Sequence, residues 1–214
     1  RHANQESRAM VWSRGDYASS HFAFGCDQGE VYIYDLSDLT QPLYEIMLFQ
    51  DSPTLKDKRV IDMSWLADER IAIATLDDVF IWHYEKGELI RTDLKRIRAT
   101  ISDGQMLFVG DDIGYLRIFD TQSMKELNRL HPHNRRITSI SHVRADLLVT
   151  TSFDGTVCTI VRDVKGTWKV AKQILGVKPL MGLNIKDING LSDFEFSTLK
   201  VMGAIERPQA NSGV

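Results

Sequence analysis

Apolar and polar positions along this chain alternate in short runs, and the runs come in groups of four between short polar turns. The second group is the plainest: VIDMSWL (60–66), RIAIATL (70–76), VFIWHY (79–84) and ELIRTDL (88–94). Ala67-Asp68-Glu69, Asp77-Asp78 and Glu85-Lys86-Gly87 divide them. Period-two alternation rich in β-branched and aromatic residues predicts strands, and turns this short predict an antiparallel meander. The third group reads IRATIS (97–102), MLFVGD (106–111), YLRIFD (115–120) and KELNRLH (125–131). ITSISHV (137–143), LLVTTSF (147–153), TVCTIVRD (156–163) and TWKVAKQIL (167–175) form the fourth. RAMVWS (8–13), HFAFGC (21–26), EVYIYDL (30–36) and LYEIMLF (43–49) form the first.

One phrase recurs in register: GEVYIYD (29–35), DDVFIWH (77–83), GYLRIFD (114–120) and GTVCTIV (155–161). Its last residues, Asp35, His83, Asp120 and Val161, lie 48, 37 and 41 positions apart. A period of roughly 40 residues with several strands per unit is the signature of a propeller blade. In the first of these strands both faces are apolar, Val31 and Ile33 on one side and Tyr32 and Tyr34 on the other. A strand covered on both faces suits sheets stacked against each other. The predicted fold is all-β: four recognisable four-stranded blades, part of a larger propeller, then a short C-terminal helix. The blades span about 2–50, 58–95, 96–131 and 132–176.

These units resemble the WD-repeat (tryptophan–aspartate repeat) propeller family over roughly residues 2–175. The family's closing Trp-Asp stands here as Tyr34-Asp35, Trp82-His83, Phe119-Asp120 and Ile160-Val161, so no unit keeps it intact. Unit four matches the rest of the pattern best, with His133 before its first strand, Ser152 on its second and Asp154-Gly155 in the turn. The resemblance implies that His133, Ser152 and Asp154 hydrogen-bond one another to pin a loop, with Ile160 in place of the expected aromatic.

After Leu175 the rhythm stops. Ser192 and Glu195 have the spacing of a capping box, Leu191 and Phe196 occupy hydrophobic-staple positions, and Gly203 suits a left-handed C-cap. A helix near 193–202 is predicted, within a tail at 177–206 followed by disordered residues 207–214. LNIKDINGLS, then a helix and Gly-Ala-Ile, resembles the end cap of bacterial pentapeptide-repeat proteins. By element order, propeller then capped tail is similar to the C-terminal sensor regions of bacterial STAND/NACHT-type signalling ATPases.

Composition narrows the function. Net charge is −3, so no global basic field attracts nucleic acid or an anionic membrane. No apolar run approaches the roughly 18 residues that span a bilayer. Cys26 and Cys158 sit in apolar strands and read as free buried thiols of a reducing, cytoplasmic compartment. The chain opens on Arg1 with strand-like residues soon after, which suggests a C-terminal piece of a longer protein.

No P-loop, HExxH, GxSxG or paired CxxC occurs, so neither catalytic residues, a metal nor a cofactor is expected. Arg14-Gly15-Asp16 reads as a turn. The aspartates at 27, 77, 78, 111, 112 and 154 recur in second-to-third strand turns, where Asp is a standard turn former. His131-Pro132-His133-Asn134-Arg135-Arg136 offers imidazoles and guanidiniums to a phosphate or carboxylate, or else is a loop between blades. In a propeller such loops share a rim with the acidic turns, and they are basic: Lys56, Lys58 and Arg59; Lys95 and Arg96; Arg135 and Arg136. That mixed rim favours a charged protein or peptide partner over nucleic acid, unless the charges only neutralise one another. Lys58, Arg59, Arg135 and Arg136 are the expected partner-binding residues of a non-enzymatic scaffold or sensor. Two alternatives stay open: a propeller hydrolase with a channel site, and a structural module packed on upstream domains.

Overall fold

The computed structural model describes residues 7–12, 21–49, 58–176, 180–190 and 192–206. The Arg14-Gly15-Asp16 turn, Lys56, Leu191 and residues 207–214 lie outside them. Four antiparallel sheets follow one another, each with its strands in chain order. The first holds β1 (Ser7–Trp12), β2 (His21–Cys26), β3 (Glu30–Asp35) and β4 (Tyr44–Met47). In the second are β5 (Val60–Trp65), β6 (Arg70–Thr75), β7 (Val79–His83) and β8 (Glu88–Arg91). The third contains β9 (Ile97–Ser102), β10 (Met106–Asp111), β11 (Leu116–Asp120) and β12 (Glu126–Leu130). The fourth is built from β13 (Ile137–Arg144), β14 (Leu147–Ser152), β15 (Thr156–Arg162) and β16 (Trp168–Leu175). Strand β8 stops short of the expected Leu94: the Thr92 N–H still donates to the Val79 carbonyl at 2.8 Å, and beyond it the chain turns, the Leu94 N–H donating to the Thr92 hydroxyl at 3.3 Å.

The first strands adjoin in series, β1 beside β5, β5 beside β9 and β9 beside β13. Among the described residues no comparable packing returns from β13 to β1. Successive side chains therefore serve different cores. Ile71 and Ile73 of β6 pack towards the first sheet with Val31, Ile33 and Trp82, while Ala72 and Ala74 pack towards the third with Ile97, Leu107 and Val109. Burying each valine, leucine or isoleucine among them is worth about 1.5–3 kcal/mol, which is why these strands are apolar on both faces. Backbones approach closely where a side chain is missing. A Cβ on Gly25 would lie 2.4 Å from Val60, and one on Gly110 would lie 2.7 Å from Ile137.

The end sheets differ. On the first, Tyr32 and Tyr34 are buried against Phe22 and Phe24, ring centroids 5.2 to 5.7 Å apart, on the face away from Val31 and Ile33. On the fourth, only one face is buried: Leu148, Cys158, Ile160 and Trp168 join the third sheet's core. The opposite face, carrying Leu147, Val149, Thr151, Val157, Thr159 and Val161, is half-exposed.

Each first strand has a register shift near its start, leaving Arg8, Ile61, Arg98 and Thr138 as the extra residues. A bulge at this point re-aims the side chain it carries.

The second compact unit, Leu175–Val214, holds α1 (Asp193–Val201). The Ser192 side chain accepts from the Glu195 N–H, and the Glu195 carboxylate accepts from the Ser192 N–H at 2.9 Å, completing the capping box. At the other end Gly203 has φ +105°, its N–H donating to the Lys200 carbonyl, while the Ala204 N–H donates to that of Leu199. That is a Schellman closure. Asn184 bridges Ile205 in parallel, with Ile185 fully buried beside it.

Candidate interaction surface

In an antiparallel meander of four strands, the turn between the second and third strands emerges on the same rim as the connection to the next sheet. Local hydrogen bonding ties the two together. In the second sheet the buried Asp78 carboxylate binds the Arg91 guanidinium and the Lys95 ammonium. In the third, Asp112 binds Arg96 and Arg98, the latter through two bonds. Burial pushes both carboxyls up, and the adjoining cations more than offset it, holding each below the usual aspartate value. Asp111 instead closes its own turn, accepting from the Ile113 and Tyr115 N–H groups. Four of the rim's cations are thus held, two to a carboxylate, within their own blades.

The fourth sheet is arranged differently. His133 is buried, its Nδ1 2.6 Å from the Thr156 hydroxyl and its Nε2 2.8 Å from that of Thr150. Thr156 donates its own proton to Asp154 at 2.6 Å, so it must accept from Nδ1–H, and Nε2 accepts from Thr150. Burial lowers the imidazole's pKa, against the opposing pull of Asp154 3.6 Å away, so the ring is neutral. Asp154 also accepts from the Asn134 N–H at 2.8 Å, which pins the loop from within. Ser152 reaches the network through Asp154: its hydroxyl accepts from the Asp154 N–H and donates to the Arg135 carbonyl, and Thr150 takes the place beside the imidazole. Ile160 fills the expected aromatic's position as fully buried core.

Pinned this way, the loop does not gather its imidazoles and guanidiniums at one point. His131 stacks on Tyr115, centroids 4.2 Å apart, and bonds the Ile113 carbonyl. Arg135 and Arg136 are exposed, and both guanidiniums lie over the Phe153 ring, at 5.1 and 4.3 Å from its centroid. Neither has a carboxylate within ion-pair distance among the described residues.

Two cavities adjoin them. One, of about 410 Å³, is lined by Arg59, Arg98 and Arg136 over an aliphatic floor of Val60, Ile61, Leu76 and Ile137. The other, of about 450 Å³, has Arg96, Arg98, Arg135 and Arg136 around Asp112 and Phe153. Of the four expected partner-binding residues, Arg59, Arg135 and Arg136 line these cavities, whereas half-buried Lys58 lines neither. Arg98 was not expected: it lies inside a strand, and only the β9 bulge brings it here. A larger cavity of about 640 Å³ between the outer strands of the second and third sheets is lined by Arg117, paired with Glu126, and Arg91, paired with Asp78. Among the described residues no three His, Cys, Asp or Glu side chains converge as metal ligands, and no helix is long and apolar enough to cross a membrane.

No family model matches the chain. Solved structures do resemble it. The β-propeller domain of Cps50 (Swd1) from Myceliophteria thermophila matches at a TM-score of 0.65 and 15% identity, over 84% of this chain and 62% of that one. U3-55K matches at 0.64 and 13% identity, over 80% and 54%. A chain of the mitotic checkpoint complex matches at 0.61 and 16%, over 79% and 51%. These neighbours are WD-repeat β-propellers, and at such identities the likeness bears on fold alone: this chain carries propeller blades followed by a short helix. It spans between about half and three-fifths of the length of each of these three chains.

Proposed function

We propose that this chain is a non-enzymatic interaction module that holds a charged protein or peptide partner on its basic rim. One observation carries the reading. Arg135 and Arg136 are exposed and without a carboxylate partner among the described residues, while Arg91, Lys95, Arg96 and Arg98 are bound by aspartates of their own blades. Guanidiniums left unneutralised beside concave surface steer and orient an acidic partner. Lys58 and Arg59 extend the same rim, and a propeller neighbour belonging to the mitotic checkpoint complex fits the same kind of role.

The test is capture of binding proteins on the immobilised chain and on its Arg135→Glu/Arg136→Glu form, quantified by mass spectrometry. Selective loss on the reversed form is expected. An unchanged set of captured proteins would remove the rim from consideration.

The proposed setting is a larger propeller, completed by further blades of the same parent chain. The half-exposed outer face of the fourth sheet and the greater length of the matched propellers support it. The capped helix after the last blade supports, by element order, the sensor end of a bacterial STAND/NACHT-type ATPase. A P-loop encoded upstream of these blades is then expected.

A further inference from the structure

We infer that the two arginine-walled cavities form one composite site for a di-acidic peptide segment, with one carboxylate in each. The inference rests on the rim reading above and names its ligand. The cavities share Arg98 and Arg136 as a common wall, so a single short chain can occupy both. Across the described lining of the pair, the one carboxylate, that of Asp112, already binds Arg96 and Arg98, which leaves Arg135 and Arg136 as the guanidiniums offered to a ligand. Concave cationic surface over a low-dielectric floor focuses the field at its mouth, and the planar guanidinium fork matches a carboxylate bidentately.

The geometry behind this site repeats from blade to blade. Arg59 and Arg136 each directly precede the fully buried first residue of an inner strand, Val60 and Ile137. Arg98 sits on the bulge of the inner strand between them. Three successive sheets thus contribute to one site. Their rigid backbones hold the cations, and the Phe153 ring braces Arg136 from the side.

A peptide suits the site better than nucleic acid. The floor of the first cavity is aliphatic, and the one aromatic ring of the second already lies beneath two guanidiniums, so no free ring is offered for base stacking. Apolar residues flanking the acidic pair would cover the part-exposed Ile61 and Leu76.

The test is fluorescence anisotropy with a short labelled peptide carrying Glu-Glu between leucines, and with its Gln-Gln counterpart, at two salt concentrations. The Glu peptide is expected to bind at least about tenfold more tightly than the Gln peptide, and to weaken as salt rises. Arg135→Glu/Arg136→Glu should weaken it by about tenfold or more, with Arg59→Gln giving a smaller loss and Lys172→Glu, on the outer strand β16, none. If the double reversal fails to fold by circular dichroism, Arg135→Gln/Arg136→Gln replaces it, with the same direction expected.

Equal affinity for the two peptides overturns the inference, as does an unaffected reversal variant. Inorganic phosphate competing as well as the peptide would make this a free-anion site, and tighter binding of single-stranded DNA would make it a nucleic-acid site; either result overturns it. Failure of the peptide with protein capture still lost on reversal leaves the rim reading standing. Unchanged capture removes both.

Discussion

His133 and Asp62 should titrate with opposite consequences for stability in overlapping pH ranges. Burial holds the His133 imidazole below its ordinary pKa of 6.5, so the unfolded chain binds the proton more readily. Its contribution is complete above pH 6.5 and is lost as pH falls below that value. Asp62 behaves in reverse. Burial pushes its carboxyl up to about 6, although the N–H groups of Thr100 and Met63 donate to it at 2.7 and 2.9 Å. Its protonated form favours the fold, so stability falls as pH rises from 3.8 through about 6. Denaturant midpoints measured from pH 4 to 7.5 should separate the two: His133→Gln removes the rising limb and Asp62→Asn the falling one. His133→Ala should cost on the order of 3 kcal/mol, because two buried hydroxyls lose their partner. His133 and Asp154 were legible as a motif. Thr150 and Thr156 were not, because a period of two places many hydroxyls on one face and only the pairing Thr150 to Cys158 decides which of them meet the ring.

Strands and helix were legible for physical reasons local to each. Short apolar runs between polar turns identified the sixteen strands of the described residues to within a few residues, since successive side chains point to opposite faces and each buried face must be apolar. The helix was equally readable, because Ser192 and Glu195 satisfy end groups within one turn. Ser192→Ala should cost about 1 kcal/mol, seen as faster amide exchange in the first turn of α1. The bulges were invisible. A register shift is a property of two strands, and nothing in IRATIS distinguishes Arg98, which reaches the rim, from a residue in regular alternation. Gly110 is the complementary case: Gly110→Val drives a side chain into Ile137 and should lower stability by about 1–3 kcal/mol or more, read as a reduced denaturant midpoint.

At the scale of the whole molecule, the ends of the blade series carry the prediction. Val60, Ile97 and Ile137 each share a core with the preceding sheet's small residue, Gly25, Ala74 and Gly110 or its neighbours. The fourth sheet has Thr151 at that position, its hydroxyl bonded to Thr138 at 2.8 Å. A sheet completing the series there should present something smaller than isoleucine. Until one does, the half-exposed outer face is expected to drive self-association, visible as elution ahead of a monomer in size-exclusion chromatography. A stable monomer at all concentrations would count against a missing partner sheet. By itself the sequence determined the repeat, the strand boundaries, the buried faces and the helix caps, because each depends on residues near one another in the chain. Only the tertiary structure decided which charges were neutralised and which stood free, because Asp112 meets Arg98, and Arg136 meets Phe153, across turns and bulges that bring distant positions together. That difference is why the scaffold could be read directly and the charge pattern of the rim could not.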